Sequence, residues 1–325
     1  VAAVVAAVVA SREDLEASRT SSSSRALPGF ADKLDQLAYL RLSRGATTVN
    51  FKRSEGRWVV AEKGNYPADQ ERLRKLLVQL AQLELVEPKT DKPELLARLD
   101  LDDPANGKST DISARDRVGA VVGQIIIGRQ RPSEIAQGET GVYVCEPGSD
   151  RAWLARGAFE LGGDARSWLD RQIIDLPPAR ISSVVMTAPD GSSVIVSRKS
   201  ADLPFVIDSA STDARPRPDA ALAAPAGALE ALNLDDVKPV AEQPIPPDGV
   251  ATAAFTTLDG LIVGIRLSAP ESGDWAAISA TGFGDGEAEA QKLNARLAQW
   301  SFAIPPTRAK LMRTTLSDLL LPGGS

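Results

Sequence analysis

Two segments of the chain share length and pattern. "PADQERLRKLLVQLAQLELVEP" occupies residues 67–88 and "PDAALAAPAGALEALNLDDVKP" residues 218–239. Each runs from one proline to another, and Val78, Ala81, Leu83 and Val86 fall opposite Leu229, Leu232, Leu234 and Val237. An internal repeat restricts the possible architectures strongly, because one supersecondary unit must be built twice. The first copy has apolar residues at helical spacing over 68–83, with Pro67 ahead of the first turn, which predicts an amphipathic helix. Pro225 and Gly227 interrupt the second copy, so a weaker helix is expected there.

The segments ahead of these helices also match. "LAYLRLSRGATTVNFKRSEGRWVVAE" reads as three short strands with turns at Arg44–Gly45 and Glu55–Gly56, and "ISSVVMTAPDGSSVIVSRKSADLPFVID" reads likewise with a hairpin turn at Asp190–Gly191. Leu40 and Leu42 match Val184 and Met186; Val49 and Phe51 match Val194 and Val196; Trp58-Val59-Val60 match Phe205-Val206-Ile207. Further strands follow each helix: "AVVGQIIIGR" and "GVYVCEP" in the first copy, "AAFTTLDGLIVGIRL" and "DWAAISATG" in the second. "ARSWLDRQIIDLPPAR" and "ARLAQWSFAIPPTRA" close the copies, setting Trp168 against Trp300 and Pro177-Pro178 against Pro305-Pro306. The expected fold is α+β: two tandem β-β-β-α-β-β modules, residues 31–178 and 179–325, each an antiparallel sheet with a helix on one face. A length of 325 residues, long for a single core, agrees with two domains. A C-terminal helix with Leu311, Met312, Leu316, Leu319 and Leu320 on one side either docks on the second module or serves a partner.

Residues 1–10, "VAAVVAAVVA", are apolar on every face. Ten helical residues cover about 15 Å, half a bilayer core. They read as the end of a transmembrane helix whose Ala/Val surface suits close packing against other membrane helices. A secretory signal cleaved near "VVASRE" and a buried soluble helix are the rival readings. Residues 11–30, charged and then Ser-rich, read as a linker. Arg12 and Arg19 are offset by Glu13, Asp14 and Glu16, so the flank does not set the orientation.

A net charge of −6 lacks the footprint of a nucleic-acid binder. The chain has no histidine, which removes Ser-His-Asp and Cys-His catalysis and histidine metal sites. Its one cysteine, Cys145, lies in a strand-like run and reads as a small buried hydrophobe. Gly107-Lys108-Ser109 resembles the tail of a phosphate loop, but position 102, where the motif needs glycine, is aspartate. Asp100, Asp102 and Asp103 lack the spacing of a calcium loop and read as a solvated turn, as do Asp235 and Asp236. Arg129 and Arg131 read as a solvated loop, with an anion or lipid-headgroup contact as the alternative. Trp58, Trp153, Trp168, Trp275 and Trp300 read as core packing rather than a carbohydrate platform. No catalytic, cofactor-binding or metal residue is expected, and the chain is not expected to be an enzyme.

The hairpin ending "GRWVV", the run Tyr66-Pro67-Ala68-Asp69 opening a Leu-rich helix, "LLARLDLDDP", the "IIIG" and "VYV" strands and Trp168-Leu169-Asp170-Arg171 together resemble the bacterial domain-of-unknown-function family 4340. The resemblance covers about residues 31–320; "AAPAG" in the second helix departs from it. It implies one N-terminal membrane helix and an extracytoplasmic body, encoded in many cases beside gliding-motility-type ABC transporters; it supplies no catalytic residues. The expectation is therefore an inner-membrane protein with a single-pass anchor and a periplasmic body. It would act as a scaffold or substrate-handling accessory subunit, with an ABC permease and ATPase as partners. A free-standing periplasmic binder of lipid, glycan or peptide is the alternative.

Overall fold

The computed structural model describes residues 24–131, 140–208 and 215–321. The expected membrane helix at 1–10 and most of the linker lie outside the described residues. Among the described residues no helix is long and apolar enough to cross a membrane. The fold is α+β, with more strand than helix, and divides into two compact units, Val1–Asp170 and Arg171–Ser325.

The first unit contains β1 (Ser24–Arg25), β2 (Leu37–Arg44), β3 (Thr47–Ser54), β4 (Arg57–Val60), β5 (Tyr66–Pro67), α1 (Gln70–Gln82), β6 (Glu84–Thr90), the short α2 (Pro93–Leu96), β7 (Thr110–Asp116), β8 (Val121–Arg131), β9 (Gly141–Cys145) and β10 (Ala152–Arg156). Its ten strands form one sheet in the order β1-β6-β10-β9-β8-β7-β2-β3-β4-β5, with antiparallel pairing throughout. The turns fall where the sequence places them: Gly45, Glu55 and Gly56 take positive φ, the conformation a tight reversal needs. The α1 helix starts where Asp69 accepts a hydrogen bond from the Arg72 backbone N–H at 2.9 Å, and it buries Leu73, Leu76, Leu77 and Leu80 along one stripe. Trp168 is buried edge-on to Phe51, with ring centroids 5.4 Å apart, and the Arg72 guanidinium lies 4.3 Å from its centroid. β9 is buried on both faces, and Tyr143 and Cys145 join Leu101, Ala152 and Leu154 in a small apolar cluster of their own.

The second unit contains β11 (Gln172–Ile174), β12 (Ile181–Thr187), β13 (Ser193–Ser197), β14 (Val206–Ile207), α3 (Asp219–Ala223), β15 (Leu232–Asn233), β16 (Asp236–Pro239), β17 (Ala251–Thr257), β18 (Leu261–Leu267), β19 (Trp275–Gly282), α4 (Gly286–Leu297), β20 (Trp300–Ala303), α5 (Pro306–Met312) and α6 (Leu316–Leu319). Eight strands form a sheet in the order β14-β13-β12-β17-β18-β19-β20-β16, and β11 pairs with β15 separately. β17 and β18 alternate strictly between buried and half-buried residues, so one face carries the core. As Pro225 foretells, α3 stops after five residues and a 3-10 segment, Ala224–Leu229, continues the path.

Three expectations need correction. Not two strands but five follow the first helix in the first unit, and six in the second. The additional ones, including "ELVEPKT", "TDISARD" and "AWLAR", are short or carry charges and proline, so their pattern is faint. The match of Trp168 with Trp300 fails: Trp300 faces Pro239 across β20–β16, whereas the residue facing Pro88 is Trp153 on β10. α4 joins β19 to β20, whereas residues 146–151 alone link β9 to β10. Finally, the C-terminal helix is two pieces, because a new cap forms at Thr315, which exchanges hydrogen bonds with Asp318. Met312 and Leu319 are buried and Leu311, Leu316 and Leu320 half-buried, so the segment docks on its own unit.

Candidate functional site

A cavity of about 810 Å³ lies within the second unit. Four segments distant in sequence build it. The β12–β13 hairpin supplies Met186, Thr187 and Val194, and its turn is set by Gly191 at positive φ with the Ser192 N–H on the Asp190 carboxylate at 2.9 Å. The entry to β17 supplies Gly249, Val250 and Ala251, and the chain leaving β18 supplies Ser268, Ala269 and Pro270. The break between α5 and α6 supplies Met312, Arg313, Thr314 and Leu316. The walls are mainly apolar, and hydroxyls of Thr187, Ser192, Ser193, Thr314, Thr315 and Ser317 border them. Met186 and Met312, both nearly fully buried, are the two methionines of the chain. Unbranched thioether side chains adapt readily to a ligand's shape.

Arg313 fixes the strap that closes this side. One guanidinium nitrogen meets the Asp274 carboxylate at 2.6 Å and another donates to the Ser268 carbonyl at 2.9 Å. Both ion-pair side chains are about one-fifth exposed. The preceding helix is held by Arg308, which donates to the carbonyls of Gly227 (2.6 Å) and Glu230 (2.8 Å). Arg313 and Thr314 also line a neighbouring hollow of about 440 Å³, whose other residues include Arg217, Lys310, Leu311 and Asp318. The strap thus divides an apolar cavity from a hollow in which basic side chains outnumber acidic ones.

The residues singled out in the sequence lie elsewhere. Gly107, at φ 101°, ends a 3-10 turn; Lys108 lies 3.9 Å from Asp100; and Ser109 is buried with its hydroxyl on the Asp102 carbonyl at 2.6 Å, so this segment is a turn tied to its neighbours. Arg129 meets Asp100 at 2.9 and 3.2 Å, and that hydrogen bond holds the Asp100 carboxyl below its ordinary value. Arg131 ends β8, exposed. Asp235 pairs loosely with Arg171 at 3.3 Å, and Asp236 accepts from the Val237 N–H. Cys145 is buried, and burial pushes its thiol up to about 11, far from the thiolate a nucleophile needs. Trp58, Trp168 and Trp300 are buried; Trp153 and Trp275 are half-buried beneath Arg151 (5.2 Å) and Lys238 (5.0 Å). Among the described residues no group of three acidic, His or Cys side chains is arranged to hold a metal ion. None of the cavity residues was singled out as a site in the sequence. The one available signal was the placement of both methionines, and it carries no motif.

No significant match to a curated protein or to a solved structure was found. The family described as "Domain of unknown function (DUF4340)" matches residues 58–246, more than half of the 325-residue chain. The match begins at Trp58 and takes in the Tyr66–Asp69 and Trp168–Arg171 signatures, so the chain belongs to the DUF4340 family.

Proposed function

We propose that this chain is a non-catalytic binding body: a membrane-anchored, extracytoplasmic accessory subunit of an ABC-type transporter whose second unit handles an apolar ligand. The observation that carries the ligand-handling role is the cavity. Its volume lies in the range of roughly 300–1,000 Å³ typical of small-molecule sites, and apolar walls with a few polar groups are the usual lining. The anchor and the transporter partner rest on the composition of residues 1–10 and on what the family resemblance implies.

We also infer that the two units are copies of one module. Strand order supports this: β6-β10-β9-β8-β7-β2-β3-β4 in the first unit parallels β16-β20-β19-β18-β17-β12-β13-β14 in the second. Register supports it too. Leu40 faces Phe51 and Phe51 faces Val60; at the matching positions Val184 faces Val196 and Val196 faces Ile207.

Affinity purification of the full-length protein from mild detergent, followed by mass spectrometry, tests the transporter role. Permease and ATPase subunits at stoichiometric level are expected. Recovery of the chain alone would overturn that role and leave a free-standing periplasmic binder, a reading favoured by the cavity's being complete within one unit.

A further inference from the structure

We propose that the cavity and the hollow beside it form one two-part site for a single-chain anionic amphiphile: the alkyl chain lies against Met186, Val194 and Met312, and the anionic head faces Arg217 and Lys310. This rests on the binding reading above and names its ligand.

Four observations lead there. The cavity walls are mainly apolar; at its edge Arg313 is already neutralised by Asp274, and the other charged lining residue, Glu271, is exposed. The strands that frame the cavity are interior to the sheet: β12 lies between β13 and β17, and β18 between β17 and β19. Their backbone groups are therefore used by neighbours, so an extended peptide has no edge on which to add a strand. An alkyl chain has no backbone to satisfy and fits such walls through area alone. Next, Arg313 and Thr314 line both the cavity and the hollow, so the two lie side by side along one short stretch of chain. Last, the hollow holds Arg217 and Lys310 as exposed cations against Asp318 alone, since Arg313 is committed to Asp274. A compact anion, carboxylate or phosphate monoester, complements that surplus. A neutral hydroxylated head would meet the cavity's hydroxyls but leave the surplus unanswered.

The two methionines make the test direct. In protein carrying 13C-methyl methionine, Met186 and Met312 are two reporters that lie in the cavity wall. Laurate, lauryl phosphate, monolaurin and inorganic phosphate are titrated in separate samples below their micelle concentrations. The expected result is saturable shifts of both signals with laurate and lauryl phosphate, at least about tenfold weaker binding of monolaurin, and no shift with inorganic phosphate. The preference for the anionic head should shrink as salt rises, because exposed charges are screened. Lys310→Glu lies outside the cavity and should weaken laurate about tenfold and monolaurin much less. Monolaurin binding as tightly as laurate would overturn the anionic head while leaving the cavity a binding site. Signals unmoved by every amphiphile would overturn the binding reading itself. Between laurate and lauryl phosphate, the tighter binder identifies the head chemistry.

Discussion

At the scale of single residues, the second unit is held by a few charges placed where water is scarce. Arg313 and Asp274 meet at 2.6 Å with about one-fifth of each side chain exposed. Removing the acid leaves a partly desolvated guanidinium without its partner, a costlier change than breaking a surface pair. We predict that Asp274→Ala lowers stability by about 2 kcal/mol in urea unfolding; a loss below about 0.5 kcal/mol would show the pair to be ornamental. Asp259 gives a pH dependence. The Thr257 hydroxyl donates to its carboxylate and Arg180 approaches at 2.7 Å, and these hold its pKa below the ordinary 3.8. A depressed folded-state pKa contributes stability that is present above the unfolded value and lost as pH falls through the folded one. Melting temperature should therefore drop on acidification below about pH 4, and Asp259→Asn should flatten that acid limb while lowering stability near neutrality. An unchanged acid limb in the variant would remove Asp259 from the account.

At the scale of elements, backbone approach matters as much as side-chain pattern. Gly286 opens α4 directly against the β17–β18 turn, where an added Cβ would overlap the backbone of Gly260 and Leu261. Neither backbone can move without disturbing the ladder, so Gly286→Ala should cost about 3 kcal/mol or more despite Ala's better helix propensity. A neutral or stabilising outcome by thermal denaturation would mean that the turn yields. In α1 the helix start depends on Asp69, and Asp69→Ala should cost about 1 kcal/mol; an unchanged midpoint would show that solvent caps it equally well. These elements also show what could be read beforehand. The Leu73–Leu80 stripe, the Asp190–Gly191 turn and the break at Pro225 act locally, and local physics is written in adjacent residues. β10 and α4 were missed because "AWLAR" is too short to show a period and the α4 stretch "GEAEAQKLNARL" carries few strong hydrophobes. The cavity was illegible for another reason. Its walls come from residues near 186–194, 249–251, 268–271 and 312–317, and no spacing along the chain announces that these converge.

At the scale of the whole molecule, the first described residues are tied into the sheet and the core. β1 pairs with β6, the Ala26 N–H donates to the Leu83 carbonyl, and Phe30 is almost fully buried with its ring against Gly123, where a Cβ would lie 2.7 Å away. A chain starting at Ser24 should stay folded and monodisperse in size-exclusion chromatography. One starting at Ala31 loses the Phe30 anchor, and a drop of about 3 kcal/mol is expected from deletion of a buried phenylalanine. Equal melting temperatures for the two would place residues 24–30 outside the core.

Wide antiparallel sheets carry a hazard that the edges of these two address. A long flat border strand is a template on which a second chain can pair, and the usual consequences are runaway association and fibres. Here the borders are β1 and β5 in one sheet and β14 and β16 in the other, each of two to four residues. β5 and β16 both end in proline, which has no N–H to offer an incoming strand, and Arg25 and Lys238 add charge to β1 and β16. Sheets of ten and eight strands thus end in borders that offer an incoming chain little to pair with.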